Sequence, residues 1–378
     1  MPALDALVIG GGPAGATAAL LLARAGKSVA VVERATFPRR KVCGEFLAPA
    51  ALSLLRGLGL ADRLEPLGGP EIRRLALWAG NAAPEAPLPG GYARAVPRDA
   101  LDARLLEHAA ACGAQVHQPA VALRLERNGA DFVCTGSAFS IEARAVIAAH
   151  GSWEPGPLPT QPRRRKSKAS DLLAFKAQFR GCGLPTGAIA LMPFDGGYAG
   201  AVETGSGMTT LACCIRRDRL QQLRLEQTGM AAGDCVLRHV VAGSRRAGEA
   251  FSGALREGPW LAAGVLRPGA RPLCRDGIFT IGNAAGEVHP LVGEGIAIAM
   301  RSAAILCELL VAGYPPGMEK QLAREYQRRW RREFVPVYLA SSLFARLAMR
   351  PALGTLLGRM PWMLTLAAGL SGKTRSFD

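Results

Sequence analysis

The sequence is poor in the residues that build stacking platforms and metal centres. Aromatic residues make up only 6% of the chain, which argues against a surface for stacked bases. The nine cysteines are scattered without a C-x-x-C pair, and the five histidines do not cluster with them. We therefore expect no metal site. The odd cysteine count, with no signal peptide, predicts reduced thiols in a cytoplasmic protein.

A hydrophobic run long enough to cross a bilayer is also missing near the start of the chain. The apolar stretch Ala16–Ala25 is too short, and Gly26 and Lys27 follow it. The tail, Glu319–Leu370, is predicted to be helical, but arginine and proline residues interrupt its apolar pieces. We favour helices that cap a cavity there. The alternative is an amphipathic tail at a membrane surface beside anionic lipid.

Acidic residues are scarce relative to basic ones. The chain has 30 Asp and Glu against 46 Lys and Arg, a formal net charge of +16, with basic clusters at Arg163–Lys168 and Arg324–Arg332. A solvated basic surface is the simpler interpretation. An anionic partner is the other, such as acidic lipid, an acyl-carrier protein or a phosphorylated cofactor. We expect no nucleic-acid partner, because no nucleic-acid-binding module accompanies the charge.

A glycine-rich turn follows the first apolar run of the chain. Ala6–Ile9 leads into the pattern Gly10-x-Gly12-x-x-Gly15, after which an alanine-rich helix begins. Gly10 permits the tight turn, Gly12 lets a pyrophosphate approach bare backbone, and Gly15 lets the helix pack on the strand. The start of the helix adds unpaired N–H groups and partial positive charge. This context predicts a dinucleotide-binding unit.

An acidic residue stands where such a unit needs one. Ser28–Val32 forms the second predicted strand, and Glu33 closes it. A carboxylate at this position can accept hydrogen bonds from both ribose hydroxyls of an adenosine. It also disfavours a 2′-phosphate at the same turn.

A second strand–glycine–helix turn lies far along the chain. Within "GIFTIGNAAGEVHPLVGEGIAIAM", Ile278–Ile281 reads as a strand and a helix begins near Gly295. FAD is too long for one glycine turn to hold, so its ribityl chain and ring need residues from elsewhere. The pair of turns therefore predicts FAD as the cofactor.

At this point the chain resembles a known superfamily. The matching stretches are Gly10–Gly15 with Glu33, Phe37–Leu60, Val96–Val116 and Gly282–Met300. Their order and spacing are similar to those of the FAD-dependent superfamily that joins class A aromatic flavin hydroxylases, geranylgeranyl reductases and flavin-dependent halogenases.

The resemblance implies roles for particular residues. Arg98 matches an arginine that contacts FAD, and Asn283 stands where an aspartate usually holds the ribityl hydroxyls. The loop from Pro290 to Gly295 would follow the isoalloxazine edge, with the helix N-terminus aimed at the ring. The residues expected to contact FAD are Gly10, Gly12, Pro13, Ala14, Gly15, Glu33, Arg34, Arg98, Asn283, Pro290, Gly293, Glu294, Gly295 and Ile296.

Two side chains are candidates for catalysis. His289 precedes Pro290 in this loop, and its ordinary pKa suits proton transfer; a structural bond to backbone is the alternative. Cys43, in "KVCGEF", is expected near the ring, either in a chemical role or as a small buried hydrophobe.

The expected fold is α/β: a Rossmann-like FAD-binding domain of the glutathione-reductase type with an inserted β-sheet substrate domain and a C-terminal helical segment. Short alternating strands are predicted between residues 172 and 217, and residues 218–246 read as helical. The predicted division assigns residues 1–75, 98–160 and 261–315 to the FAD-binding lobe, 76–97 to an excursion into the substrate lobe, 161–260 to the β-rich substrate domain and 316–378 to the helical tail.

The expected activity is FAD-dependent redox chemistry on an apolar organic substrate, free or tethered to a carrier. We favour a monooxygenase that uses NAD(P)H and O₂ through a flavin C4a-hydroperoxide, because a dry cavity then needs few acid–base residues. A geranylgeranyl-reductase-like enzyme fed by a carrier protein is the second hypothesis and a halogenase the third. A flavin-containing protein that docks a carrier protein or membrane is the non-enzymatic alternative.

Overall fold

The computed structural model describes residues 2–152, 156–161, 166–313 and 318–350. Residues 163–165 of the Arg163–Lys168 cluster and the apolar tail piece 353–370 lie outside these residues. The helices are α1 (Pro13–Arg24), α2 (Pro49–Gly57), α3 (Ala61–Leu64), α4 (Arg98–Ala111), α5 (Arg217–Glu226), α6 (Ala232–Ala242), α7 (Arg245–Phe251), α8 (Gly295–Ala312) and α9 (Glu319–Ala348). The strands are β1 (Leu4–Ile9), β2 (Val29–Val32), β3 (Phe46–Leu47), β4 (Glu71–Ile72), β5 (Arg74–Leu77), β6 (Glu85–Pro87), β7 (Ala93–Ala95), β8 (Gln115–His117), β9 (Arg124–Asn128), β10 (Asp131–Thr135), β11 (Ser140–Ala148), β12 (Leu172–Arg180), β13 (Ala188–Phe194), β14 (Gly197–Glu203), β15 (Thr209–Arg216), β16 (Leu255–Leu266), β17 (Gly269–Ala270), β18 (Cys274–Arg275), β19 (Ile278–Thr280) and β20 (Gly286–Glu287).

The first sheet holds the two glycine turns. Its order is β18-β19-β11-β1-β2-β8, and β1 runs parallel to both β2 and β11. Strands β10 and β9 extend it from β11. Helices α1, α2, α4, α8 and α9 contribute to the core on one face. The turns follow β1 and β19, which lie on either side of β11 and run parallel to it, so both leave the sheet at the carboxyl ends of its strands, the edge where ligands bind in open α/β sheets.

Two glycines of the first turn are required by close packing. Gly10 has a φ of 110°, and a Cβ there would lie 2.6 Å from the Ala149 carbonyl oxygen. A Cβ on Gly15 would lie 1.8 Å from the Gly10 carbonyl oxygen. No other residue type fits at either position without moving the backbone. The two glycines therefore hold α1 directly against the end of β1.

The second sheet has two dissimilar faces. Its order is β16-β12-β15-β14-β13-β5-β6, antiparallel except between β13 and β5. Large side chains on one face, such as Phe175, Met192 and Phe194, form a core with α5–α7. The other face includes the small residues Ala174, Gly200 and Ala212, which line a cavity. We call this second surface the cavity face.

In the second sheet, the alternation of apolar and polar residues correctly predicts the strands. The four stretches predicted as strands between residues 172 and 217 are strands β12 to β15. The segment expected to be helical, 218–246, contains α5, α6 and the start of α7 rather than one helix. Strand β16 stays in the second sheet through Leu266, and β5 and β6 join the same sheet. The expected α/β fold, with an inserted sheet and helical tail, is confirmed.

Helix α8 is long and apolar enough to span a membrane by length and composition. It packs against α1, however, and most of its side chains are buried in the core of the first sheet. Burial on nearly all sides explains why its sequence is apolar all round. We therefore interpret α8 as a core helix.

Candidate functional site

A single cavity of about 570 Å³ joins the two glycine turns to the cavity face of the second sheet. Its size and mixed polar and apolar walls suit a bound organic molecule. It is lined by thirteen of the sequence-predicted residues: Gly10, Gly12, Pro13, Ala14, Glu33, Arg34, Cys43, Arg98, Asn283, Pro290, Gly293, Gly295 and Ile296. Gly15, His289 and Glu294 do not line it.

The structure at Gly12 fits a pyrophosphate. Gly12 is the residue before α1, in extended backbone, and a Cβ built on it meets no atom within 4 Å. That direction is open because Gly12 lines the cavity. The first turn of α1 contains no acidic residue that would compete with an anion for its N–H groups.

Charge at this end of the cavity also suits an anionic ligand. Arg34, next to Glu33 in sequence, and Arg39, whose guanidinium lies 3.9 Å from the Glu33 carboxylate, both line the cavity. Glu33 is buried; its carboxylate accepts from the Gly11 N–H at 2.7 Å and the Ala35 N–H at 2.8 Å. These bonds hold the carboxylate in place at the end of β2, and its remaining lone pairs are available to hydroxyl donors. The residues present thus fit the adenosine and pyrophosphate of FAD.

The second glycine turn supplies the opposite wall. Gly293 has a φ of 69° and lies against Phe46, where a Cβ would come within 2.8 Å of the ring. Glu294 is buried and its carbonyl begins the hydrogen bonding of α8 by accepting from Ile298 N–H. Asn283 lines the cavity, and its own carbonyl accepts from Arg271 at 3.0 Å. The N-terminus of α8 therefore faces the cavity, as the sequence predicts.

Arg98 is fixed by a partner on its own helix. Its guanidinium donates to both oxygens of Asp102, at 2.8 and 2.7 Å, four residues further along α4. This bidentate pair is buried, so the arginine has one orientation. The Cys43 sulfur lies within hydrogen-bonding range of the same guanidinium and accepts from the Glu45 N–H at 3.4 Å. Cys43 therefore stands at the cavity wall beside a permanent cation.

The structure adds a buried ion pair that sequence reasoning missed. Lys176, on the cavity face of β12, contacts the Glu45 carboxylate, and each side chain is almost completely buried. Glu45 also accepts from the Thr210 hydroxyl at 2.7 Å and the Arg98 N–H at 3.1 Å. One carboxylate thus connects the "KVCGEF" stretch, α4 and two strands of the second sheet.

A second polar contact joins the cavity face to the loop before α8. The Tyr198 hydroxyl, on β14, lies 2.7 Å from His289 Nδ1, and both side chains are buried. Burial lowers the pKa of His289 to about 4 and raises that of Tyr198 well above its usual range. Both groups are therefore neutral at neutral pH. Tyr198 lines the cavity, whereas His289 lies behind it.

The His289 environment predicts acid sensitivity. Because its pKa falls from 6.5 in the unfolded chain to about 4, its contribution to stability is complete above about pH 6.5 and is lost as the pH falls. We expect His289→Asn to lose about 2 kcal/mol less stability than the parent between about pH 7 and about pH 5. Urea unfolding at the two pH values measures this difference.

Tyr198→Phe is the control for that experiment. It removes the hydrogen bond but keeps the titrating imidazole, so the variant should be less stable at both pH values and retain the acid sensitivity. Equal pH dependence in the parent and His289→Asn would contradict the prediction.

The comparisons with known proteins agree with this geometry. Residues 3–156 match the family model described as "FAD binding domain". A menaquinone reductase of Mycolicibacterium smegmatis is 42% identical over 118 residues, which cover 30% of this chain and 28% of that protein. The match therefore spans less than a third of that relative's length.

Two further proteins match over most of the chain. A digeranylgeranylglycerophospholipid reductase of Methanothermobacter thermautotrophicus is 25% identical and aligns with 87% of this chain and 83% of its own. The structure of a myxobacterial chondrochloren halogenase superposes with a TM-score of 0.79 at 21% identity, covering 100% of this chain and 94% of that one. The second comparison shows a shared fold.

The described residues contain no group of three or more metal-ligating side chains. Together, the two glycine turns, the cavity between them and the matched model show an FAD-binding domain over residues 3–156, and the chain resembles the FAD-dependent superfamily that includes flavin hydroxylases, geranylgeranyl reductases and flavin-dependent halogenases.

Proposed function

We propose that the protein binds FAD along the glycine turns and uses it for redox chemistry on a neutral, apolar organic substrate held against the cavity face. The observation that carries this proposal is the continuity of the cavity. Gly12 and Gly295 line the same cavity as Ala174, Gly200 and Ala212 of the second sheet. A cofactor and a substrate in that cavity would be adjacent.

The two ends of the cavity differ in charge. The end near Glu33 is lined by Arg34 and Arg39, which suits a pyrophosphate. At the cavity face, Glu45 and Lys176 neutralise one another. We therefore expect the anionic cofactor at the end near Glu33 and an uncharged substrate at the cavity face.

FAD, when bound, supplies the hydride or electron transfer. The side chains of the cavity position the substrate, exclude water and hold protons. Tyr198 keeps its proton at the hydroxyl oxygen, because burial strongly raises its pKa. His289 Nδ1, 2.7 Å away, orients that hydroxyl. The small residues of β12, β14 and β15 leave room for a bulky or flat molecule, and their apolar surface keeps water out.

Among the possible flavin reactions, monooxygenation with NAD(P)H and O₂ is our first candidate, because the described cavity wall is mostly apolar. Reduction of a lipid or isoprenoid chain is the second. It is favoured by the reductase names of the curated relatives, one of which aligns over most of the chain.

Spectroscopy of the purified protein tests the proposal. The protein should be yellow and should release FAD when denatured; a colourless protein that binds no added FAD would contradict every flavin-based function. Bleaching by NADH or NADPH without oxygen, followed by reoxidation with peroxide release on adding O₂, supports the monooxygenase. Bleaching by dithionite alone favours the reductase fed by a carrier protein.

Product mass then separates the two reactions. With menaquinone as the probe, a reductase adds two hydrogens to a double bond, whereas a monooxygenase adds one oxygen atom from O₂. Reaction under ¹⁸O₂ labels only the second product.

A further inference from the structure

The outer face of helix α9 carries two large apolar side chains in the open. Leu339 is 69% exposed and Leu343 is 57% exposed. They are four residues apart, so they lie on the same side of the helix, one turn from each other. The opposite side of α9 is buried in the core through residues such as Trp330 and Phe334. The helix is therefore amphipathic, with an apolar pair on its otherwise polar side.

Arginines flank this pair on the same side of the helix. Arg332 precedes Leu339 by seven residues and Arg346 follows it by seven, a spacing of about two turns. Arg331 and Arg350 are exposed nearby. Within the part of the chain that the structure describes, none of these four arginines pairs with a carboxylate. We call Arg331, Arg332, Leu339, Leu343, Arg346 and Arg350 the α9 outer face.

Two acidic residues of α9 are engaged by arginines outside this set. Glu325 accepts from Arg328 and Arg329, at distances of 2.8 Å. Glu333 accepts from Arg301 of α8 at 3.0 Å. The α9 outer face is thus a basic surface with an apolar centre.

The inner side of the same helical turns is connected to the cavity. Ala345 is buried in a cluster with Tyr198 and Leu266, both of which line the cavity, and Met349 packs against that cluster. The Met349 carbonyl also accepts from Gly196 N–H at 3.3 Å. A surface that binds the α9 outer face therefore lies only one helix diameter from the cavity wall, about 10 Å.

We propose that the α9 outer face docks on the surface of an anionic lipid bilayer. Leucines between arginines match the two layers of such a surface, because the arginines reach phosphate groups while the leucines enter the acyl boundary. A nucleic acid offers phosphates but no apolar layer for Leu339 and Leu343. The overall charge of +16 adds attraction at longer range. Docking there brings an apolar substrate dissolved in the bilayer close to the cavity.

Vesicle sedimentation with the full, FAD-loaded chain tests this proposal. We expect the protein to sediment with vesicles of phosphatidylcholine and phosphatidylglycerol, more weakly with phosphatidylcholine alone, and less at high salt. The double variant Leu339→Gln/Leu343→Gln should lose at least about tenfold in affinity for the anionic vesicles. Changing Arg332 and Arg346 to Gln should weaken the preference for phosphatidylglycerol, while Arg331 and Arg350 keep part of it.

The chain offers a matched control. Leu225 on α5 is 81% exposed and Leu255 at the start of β16 is 71% exposed, and neither belongs to the α9 outer face. Leu225→Gln/Leu255→Gln makes the same chemical change and should leave vesicle binding unaltered. Because all four leucines are exposed, both double variants are expected to fold.

Two results would overturn the proposal. One is equal sedimentation of the α9 variant and its control. The other is the absence of vesicle binding by the parent; a gel shift of DNA or capture of an acidic carrier protein that depends on Arg332 and Arg346 would then identify a different partner. Flavin content is measured in each variant, so loss of docking with normal FAD is distinguishable from failure of the proposed function.

Discussion

Replacing Lys176 by methionine is expected to cost about 3–5 kcal/mol of stability, because it leaves the Glu45 carboxylate buried without its cation. Lys176 and Glu45 are almost fully buried and pair across 131 positions of the chain. Proteins of ordinary stability unfold at a cost of about 5–15 kcal/mol, so this is a large fraction of the total. Urea or thermal unfolding measures the loss.

The double variant Glu45→Gln/Lys176→Met separates the charge from the packing. A neutral amide at position 45 can still accept from the Thr210 hydroxyl, and methionine fills a space similar to that of the lysine stem. Replacing both members of a buried ion pair is often close to neutral. We therefore expect the double variant to recover most of the loss, to within about 1–2 kcal/mol of the parent.

Strand β12 also contains a suitable control. Arg180, at the end of the strand, pairs with Glu257 at 2.7 Å, but the two side chains are 57% and 47% exposed. Arg180→Met should cost no more than about 1 kcal/mol, since exposed ion pairs contribute little. If Lys176→Met cost as little stability as Arg180→Met, the ion pair with Glu45 would not stabilise the contact between the "KVCGEF" stretch and the second sheet.

Some residues of the candidate site can be predicted from the sequence, and others cannot. The turn at Gly10 and Gly12 is local: a strand, three glycines and a helix start within a few residues, and each has a steric reason. Likewise, alternation in "LLAFKAQFR" is enough to predict strand β12. Such patterns depend on neighbours in sequence, so the fold class and the first glycine turn could be proposed without coordinates, whereas the roles of Arg98, Asn283 and the loop from Pro290 to Gly295 came from the family resemblance.

Pairs of residues that are distant in the sequence cannot be predicted from such local patterns. Lys176 occupies an alternate position of β12, where a lysine would ordinarily face solvent, and nothing adjacent in sequence identifies Glu45 as its partner. Tyr198 and His289 are 91 positions apart, and the sequence singled out only the histidine. The role of His289 in proton transfer stays a prediction, now with the qualification that Tyr198 stands between it and the cavity. The alternation of "GYAGAV" indicates strand β14, but it does not show that Gly200 faces the cavity.

Replacing Gly12 by alanine is expected to remove most of the affinity for FAD while leaving the fold intact. Its backbone is extended, with φ −68° and ψ −175°, which alanine adopts readily. The added Cβ meets no protein atom within 4 Å, so it projects into the space where a pyrophosphate would approach the backbone. A displacement of the phosphates from the N–H groups of α1 should cost about 2–3 kcal/mol, or about 30- to 150-fold in affinity.

Gly264→Ala provides the same chemical change outside the cavity. Gly264 lies on β16, is exposed, and likewise has no atom within 4 Å of an added Cβ. Titration of each apoprotein with FAD, followed by flavin fluorescence, should give a parent-like dissociation constant for Gly264→Ala and a much weaker one for Gly12→Ala. Equal unfolding midpoints of the two variants without FAD would show that the loss arises at the binding site. Similar FAD affinities in the two variants would mean that the cofactor does not pass over Gly12, and that the first glycine turn serves only to pack α1 on β1.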